Sequence, residues 1–200
     1  MRRSFLLLSG SILTWLMLQI SCMAYSSDPK QFIAEIVDEA KIILNSNISK
    51  EEKAKKLSMI AVETVDIKGI GYYTLGSKRK ELTPEELKKY EEIFEKYFLK
   101  SFTSRLTDYS DPKIAVLSAE VINERYTIVK TMLLATTKKP EVKIDWRVYT
   151  KNPDKPLIRD LIVEGLKLAR TQKEEFASIL ASNNNNIDAL FQKLEEFINQ

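Results

Sequence analysis

The chain has 200 residues, with 31 Lys and Arg against 28 Asp and Glu, no histidine and one cysteine. Its charges are interspersed and nearly balanced, which excludes the basic stripe of a nucleic-acid-binding protein. The lack of histidine removes the commonest metal ligand and the commonest general base, so stability and function must rest on packing and on other polar groups.

Arg2 and Arg3 precede an apolar run from Phe5 to Leu18, and Cys22 and Ala24 form the small-x-small pair of a signal peptidase site. Residues 1–24 therefore read as a cleavable signal peptide, because the run is too short and too interrupted for a span of about 20 apolar residues. Cleavage after Ala24 is the expectation; acylation of Cys22, preceded by Ile20 and Ser21, is the alternative. Residues 25–200 then make one exported domain with no thiol, of a length that buries a sizeable core without disulfides.

Asp28 and Pro29 open a first helix, along which Phe32, Ile33, Ile36, Val37, Ala40, Ile43 and Leu44 recur at helical spacing until about Asn45. Ser49 and Glu52 form a capping box for a second helix whose Leu57, Ile60, Ala61 and Val65 share a face. A short apolar helix follows from Ile67, closed by Gly76. Thr83-Pro84-Glu85-Glu86 then combines cap, proline and capping box, and the spacing predicts a long helix over 84–109 carrying Tyr90, Phe94, Tyr97, Phe98 and Phe102.

Past Pro112 the period changes to alternation. Ile114 to Ile122 and Tyr126 to Thr136 read as a hairpin, Val142, Ile144, Trp146 and Val148 share a face of a third strand, and Leu157 to Val163 make a fourth. Gly165 ends that strand. Leu166, Ala169, Phe176, Ile179 and Leu180 give another helix, the asparagine run 183–186 an exposed linker, and Ile187 to Ile198 a terminal helix. The order predicts an α+β fold, with an antiparallel sheet of about four strands packed against several helices.

Little in this pattern can carry covalent chemistry. Triads that need histidine or cysteine are impossible, no glycine-rich phosphate loop occurs, and the pairs Glu91-Glu92 and Glu195-Glu196 diverge around their helices as solvated residues do. No catalytic residue, metal site or cofactor is expected. Lys78-Arg79-Lys80 reads as a solvated loop, or as a weak contact for a phosphate group or an anionic membrane surface.

Four segments in order resemble the MlaC family of periplasmic phospholipid-binding proteins, the toluene-tolerance family. They are Val65-Asp66-Ile67 with Leu75-Gly76; Thr83-Pro84-Glu85-Glu86 leading to Phe94 and Tyr97-Phe98-Leu99; Ile144-Asp145-Trp146; and Arg159-Asp160-Leu161-Ile162-Val163-Glu164-Gly165 with Arg170 and Glu175-Phe176. Lys78 and Arg79 stand near positions that are usually aromatic in the family, and Lys167 where a small serine is common.

The resemblance implies a curved, NTF2-like sheet with helices over its concave side, enclosing an apolar cavity for the acyl chains of a glycerophospholipid. It implies a non-enzymatic carrier in the periplasm of a Gram-negative bacterium, moving phospholipid between an outer-membrane lipoprotein complex and an inner-membrane ABC transporter complex and so maintaining outer-membrane lipid asymmetry. On shared periodic faces, Phe94, Phe98, Phe102, Leu133, Trp146, Val148, Leu161, Val163 and Phe176 are the expected lining. A carrier of another apolar ligand, such as a fatty acid or quinone, and an exported interaction module with a filled core are the alternatives.

Overall fold

The computed structural model describes residues 25–108, 111–136 and 140–200. The leader reading lies on residues 1–24, outside the described residues. Among the described residues no helix is long and apolar enough to cross a membrane.

The helices start where their caps stand. Asp28 accepts the Gln31 amide at 2.8 Å to open α1 (Pro29–Asn45), and Ser49 accepts the Glu52 amide at 3.1 Å to open α2 (Lys50–Thr64). Asp66 caps α3 (Ile67–Leu75) through the Gly69 amide at 2.9 Å. A 3-10 turn over Gly76–Lys80 leads to α4 (Pro84–Leu106), which begins with both bonds of a capping box, Glu86 N to Thr83 Oγ1 at 3.2 Å and Thr83 N to Glu86 Oε2 at 2.7 Å. Such side chains satisfy amides that a helix leaves without internal partners.

The strands β1 (Ile114–Asn123), β2 (Tyr126–Leu133), β3 (Val142–Tyr149), β4 (Leu157–Val163) and β5 (Leu166–Lys167) form one antiparallel sheet in sequence order. The fifth strand is two residues long and was not expected. It arises because Glu164 and Gly165, at φ 50° and 82°, make a two-residue hairpin turn rather than a strand end. Glu164 is held there by Lys143, whose amide donates to its carboxylate and whose carbonyl accepts its amide at 3.0 Å. α5 (Leu168–Ser182) and α6 (Ile187–Ile198) complete the chain.

Register decides which residues face the helices. Thr127, Val129, Thr131 and Leu133 stand opposite Val148, Trp146, Ile144 and Val142, and the pairs of β3 with β4 on this face are Val148 with Ile158, Trp146 with Leu161 and Ile144 with Val163. A bulge between Arg147 and Val148 leaves Arg159 without a partner in the ladder.

Burial is divided between two cores. Phe32, Ile33, Val37, Leu57 and Ile60 of α1 and α2 pack on Val129, Val148 and Ile158 of the sheet. Ile70, Tyr90, Phe94, Phe176, Leu190 and Phe191 belong to a second core built by α3, α4, α5 and α6. Val65 borders both cores.

Candidate functional site

α4 runs from one core toward the other. Tyr90 and Phe94 are buried among the helices, and Leu106 at the far end packs against the sheet core, yet α4 packs mainly on α2, α3 and α6 rather than on the strands. Between those ends lie Phe98 and Phe102, half-buried, with nearly parallel rings 6.0 Å apart. On the helix-facing side of the sheet, Leu133, Ile144, Trp146, Leu161 and Val163 are half-buried as well. These half-buried residues are the apolar seam of the molecule: none is among the buried residues of either core, Phe98 packs on the helical core and Trp146 packs on the sheet core.

The polar atoms within this apolar face are satisfied internally. Trp146 Nε1 donates to Thr131 Oγ1 at 3.0 Å, and that hydroxyl donates to the Ile144 carbonyl at 2.8 Å. Thr131 is fully buried. A hydrophobic wall whose donors are already paired can take hydrocarbon without stranding a hydrogen-bonding group.

The nine residues expected to line a cavity divide accordingly. Phe94 and Phe176 are buried in the helical core, edge to face with ring centroids 6.2 Å apart, and Val148 is buried in the sheet core. Phe98, Phe102, Leu133, Trp146, Leu161 and Val163 are the half-buried remainder and border the seam. A cavity of about 100 Å3 lies elsewhere, between α3 and α4, lined by Ile67, Gly71, Tyr72, Tyr90, Glu91 and Phe94 among others. It is smaller than the roughly 300 Å3 at which small-molecule pockets begin. An open hollow of about 420 Å3 on α2 is lined by Lys55, Ser58, Met59 and Val62 and includes none of the nine.

The basic trio sits on the 3-10 turn with unequal freedom. Lys78 pairs with Glu81 at 3.0 Å, and the Arg79 guanidinium lies over the Tyr72 ring, 5.3 Å from its centroid. Lys80 is exposed. Tyr72 donates its hydroxyl to Glu91, which also pairs with Lys68 at 2.8 Å; these two partners hold the Glu91 carboxyl below its ordinary range. Among the described residues no group of acidic, cysteine or histidine side chains could hold a metal ion.

The cluster that sequence reasoning did not assemble surrounds Arg159. Its Nε donates to Asp66 Oδ2 at 2.6 Å, its Nη1 donates to the Tyr126 hydroxyl at 3.1 Å, and its guanidinium lies 3.6 Å from the Tyr149 ring centroid. Next in sequence, Asp160 Oδ1 accepts the Ala169 amide at 2.9 Å. α5 has no side-chain cap of its own, so Asp160 serves its N-terminus from across the β4–β5 turn. The only trace of this in the sequence is that Asp66, Arg159 and Asp160 all fall in the segments that carry the family resemblance.

The family model described as MlaC protein matches residues 34–196. No curated protein matches the sequence. Among solved structures, the phospholipid-binding protein from Ralstonia solanacearum in complex with a phospholipid superposes with a TM-score of 0.72 at 18% identity, over 88% of this chain and 98% of that one. That likeness shows the fold.

Proposed function

The chain belongs to the MlaC family, and from that premise we propose that it is a periplasmic phospholipid carrier. It takes glycerophospholipid between an outer-membrane lipoprotein complex and an inner-membrane ABC transporter complex, and so maintains the asymmetry of the outer membrane. The observation that carries the reading is the seam: Phe98, Phe102, Leu133, Trp146, Leu161 and Val163 are large apolar side chains left half-buried outside the buried residues of both cores. The solved structure of like fold is in complex with a phospholipid, which supports phospholipid as the ligand class.

The physical need for such a carrier is large. Two acyl chains hold on the order of 30 methylenes, and exposing them to water costs about 24 kcal/mol at roughly 0.8 kcal/mol each. A protein that wraps the chains removes most of that cost. Because a bilayer buries the same methylenes, loading is near neutral in free energy, and no covalent step is part of the role. Lys80, and Arg79 once it leaves the Tyr72 face, are the weak candidates for contact with a head group or membrane, whereas Lys78 already has its carboxylate.

Native mass spectrometry of the exported protein, followed by extraction of what it carries, tests the proposal. A stoichiometric adduct with the mass of a glycerophospholipid is expected. A fatty acid or quinone in its place would transfer the seam to another ligand, and a protein that stays empty after incubation with phospholipid vesicles would overturn the carrier reading.

A further inference from the structure

Two turns meet at one end of the sheet. Asn123 stands opposite Tyr126, Tyr126 opposite Tyr149 and Tyr149 opposite Leu157, and the Thr150 amide donates to the Arg125 carbonyl at 2.8 Å. The β1–β2 turn and the β3–β4 loop, residues 150–156, therefore lie side by side, while Leu133, Val142 and Val163 lie toward the other end of the strands.

At this end the chain exposes apolar and basic side chains together. Every residue from Leu117 to Arg125 is exposed, so the hairpin tip stands clear of the helices. Val121 is 76% and Ile122 52% exposed, and a bulge between Val121 and Asn123 leaves Ile122 without a partner in the ladder. Arg125, Arg147, Lys151 and Lys155 are exposed beside them, and among the described residues none of the four forms an ion pair. Arg147 lies instead over the Tyr126 ring, 4.0 Å from its centroid. Glu124 and Asp154 are the acidic side chains of the two turns, so the cations outnumber them. Tyr126 and Tyr149, half-buried with ring centroids 5.5 Å apart, add two rings of the kind that settles at head-group level in a bilayer.

An acidic polymer or a free anion would answer the cations alone and leave Val121 and Ile122 in water. A surface that is anionic above and apolar below answers both. We propose that the β1–β2 tip and the β3–β4 loop form a docking surface for an anionic bilayer, with Val121 and Ile122 entering the interface and Arg125, Arg147, Lys151 and Lys155 lying among the lipid phosphates. The inference goes beyond the carrier reading and stands without it, because docking needs no lipid in the seam. The eight residues of β2 span about 26 Å. Contact at the tip thus holds the protein on a membrane while the Leu133 and Val163 end of the seam stays uncovered.

Co-sedimentation of the exported protein with vesicles tests the docking. Vesicles of phosphatidylglycerol and phosphatidylethanolamine are expected to bind it at least about tenfold more tightly than phosphatidylcholine vesicles, and about 0.5 M salt to remove most of that difference. One basic side chain near an anionic surface is worth about fivefold in binding, so Arg125→Gln with Lys155→Gln is expected to weaken binding to anionic vesicles about 25-fold. Val121→Ser with Ile122→Ser is expected to weaken it about tenfold with the salt dependence kept. Lys88→Gln with Lys96→Gln removes the same charge from exposed positions on α4 and is expected to change binding by less than about twofold. The positions changed at the sheet end are exposed, so both variants are expected to keep the circular dichroism of wild type. Equal binding to both kinds of vesicle, binding to neither, or an equal loss in the α4 control would overturn the inference. So would a photocrosslinker at position 122 that, in the expressing cells, joins a protein, a second copy included, rather than lipid. Sedimentation does not depend on what the seam holds, so a wild type that docks but carries no phospholipid would sink the carrier reading alone.

Discussion

A methyl group placed on Gly71 of α3 would stand 2.8 Å from Cδ1 of Phe94 on α4. The glycine is therefore what lets the two helices approach at the centre of the helical core. Phe94 cannot yield easily, being 2% exposed, stacked on Tyr90 at 5.5 Å and edge-on to Phe176 at 6.2 Å. Gly71→Ala gains helix propensity of about 1 kcal/mol but overpacks the interior at about 1–3 kcal/mol. A net loss of about 1 kcal/mol is expected in urea unfolding at constant m-value, and a more stable variant would show that the ring has room to move.

Glycines of this kind are hard to read from sequence, and the pair illustrates where legibility ended. α1, α2 and α4 were readable because Asp28, Ser49 and Thr83 are local signals followed by a helical period, and the four longer strands because alternation sets in after Pro112. β5 was not, because Glu164 takes a positive φ only with support from Lys143 of another strand. α4 ends at Leu106, earlier than the apolar period suggested; Tyr109 lies outside the described residues. At the site, Phe94, Phe98 and Phe102 belong to one stripe at a spacing of four. Periodicity gives all three the same face and cannot tell that the first is sealed between helices while the other two stay half-buried.

Asp160 gives a prediction in pH. Burial raises its carboxyl above the ordinary range, opposed by the Ala169 and Leu161 amides and by the charges of Arg147 and Lys167. An acid whose folded pKa is raised contributes stability that is fully present below the unfolded value, about 3.9, and lost as pH rises through the folded value. Asp160→Asn keeps an acceptor for the Ala169 amide and has no charge to bury. Urea unfolding of both proteins from pH 3 to pH 7 is expected to show the variant gaining on wild type as pH rises. A variant that instead loses ground would mean that the Asp160 charge is better solvated in the fold than in water.

The capping box of α4 gives a prediction in stability alone. Thr83→Ala removes the acceptor for the Glu86 amide and is expected to cost about 1 kcal/mol, measured as a lower urea midpoint. Thr83 is exposed and lies well before Phe98 and Phe102 along α4, so phospholipid loading by the folded variant should match wild type. Loading that fell with the midpoint would tie lipid capture to the start of the helix.

The sharpest test contrasts two phenylalanines one turn apart. Phe94 is 2% exposed and touches Tyr90, Tyr97, Phe98 and Phe176, so Phe94→Asp places an unpartnered carboxylate in a packed interior, at a cost of several kcal/mol that a domain of ordinary stability does not survive. Phe98 is half-buried at the edge of the helical core, with the Phe94 ring on one side and the Phe102 ring on the other. At Phe98→Asp the carboxylate can reach water along the seam, so its cost falls on hydrocarbon that would otherwise lie against that wall. Phe98→Asp is therefore expected to keep its far-ultraviolet circular dichroism and a cooperative thermal transition while losing co-purified phospholipid, whereas Phe94→Asp is expected to lose both. If Phe98→Asp unfolds as Phe94→Asp does, the seam is continuous with the helical core at that position and the lipid must enter elsewhere. If it folds and carries a normal load, the acyl chains do not touch Phe98, and the lining belongs to Leu133, Trp146, Leu161 and Val163 on the sheet side alone.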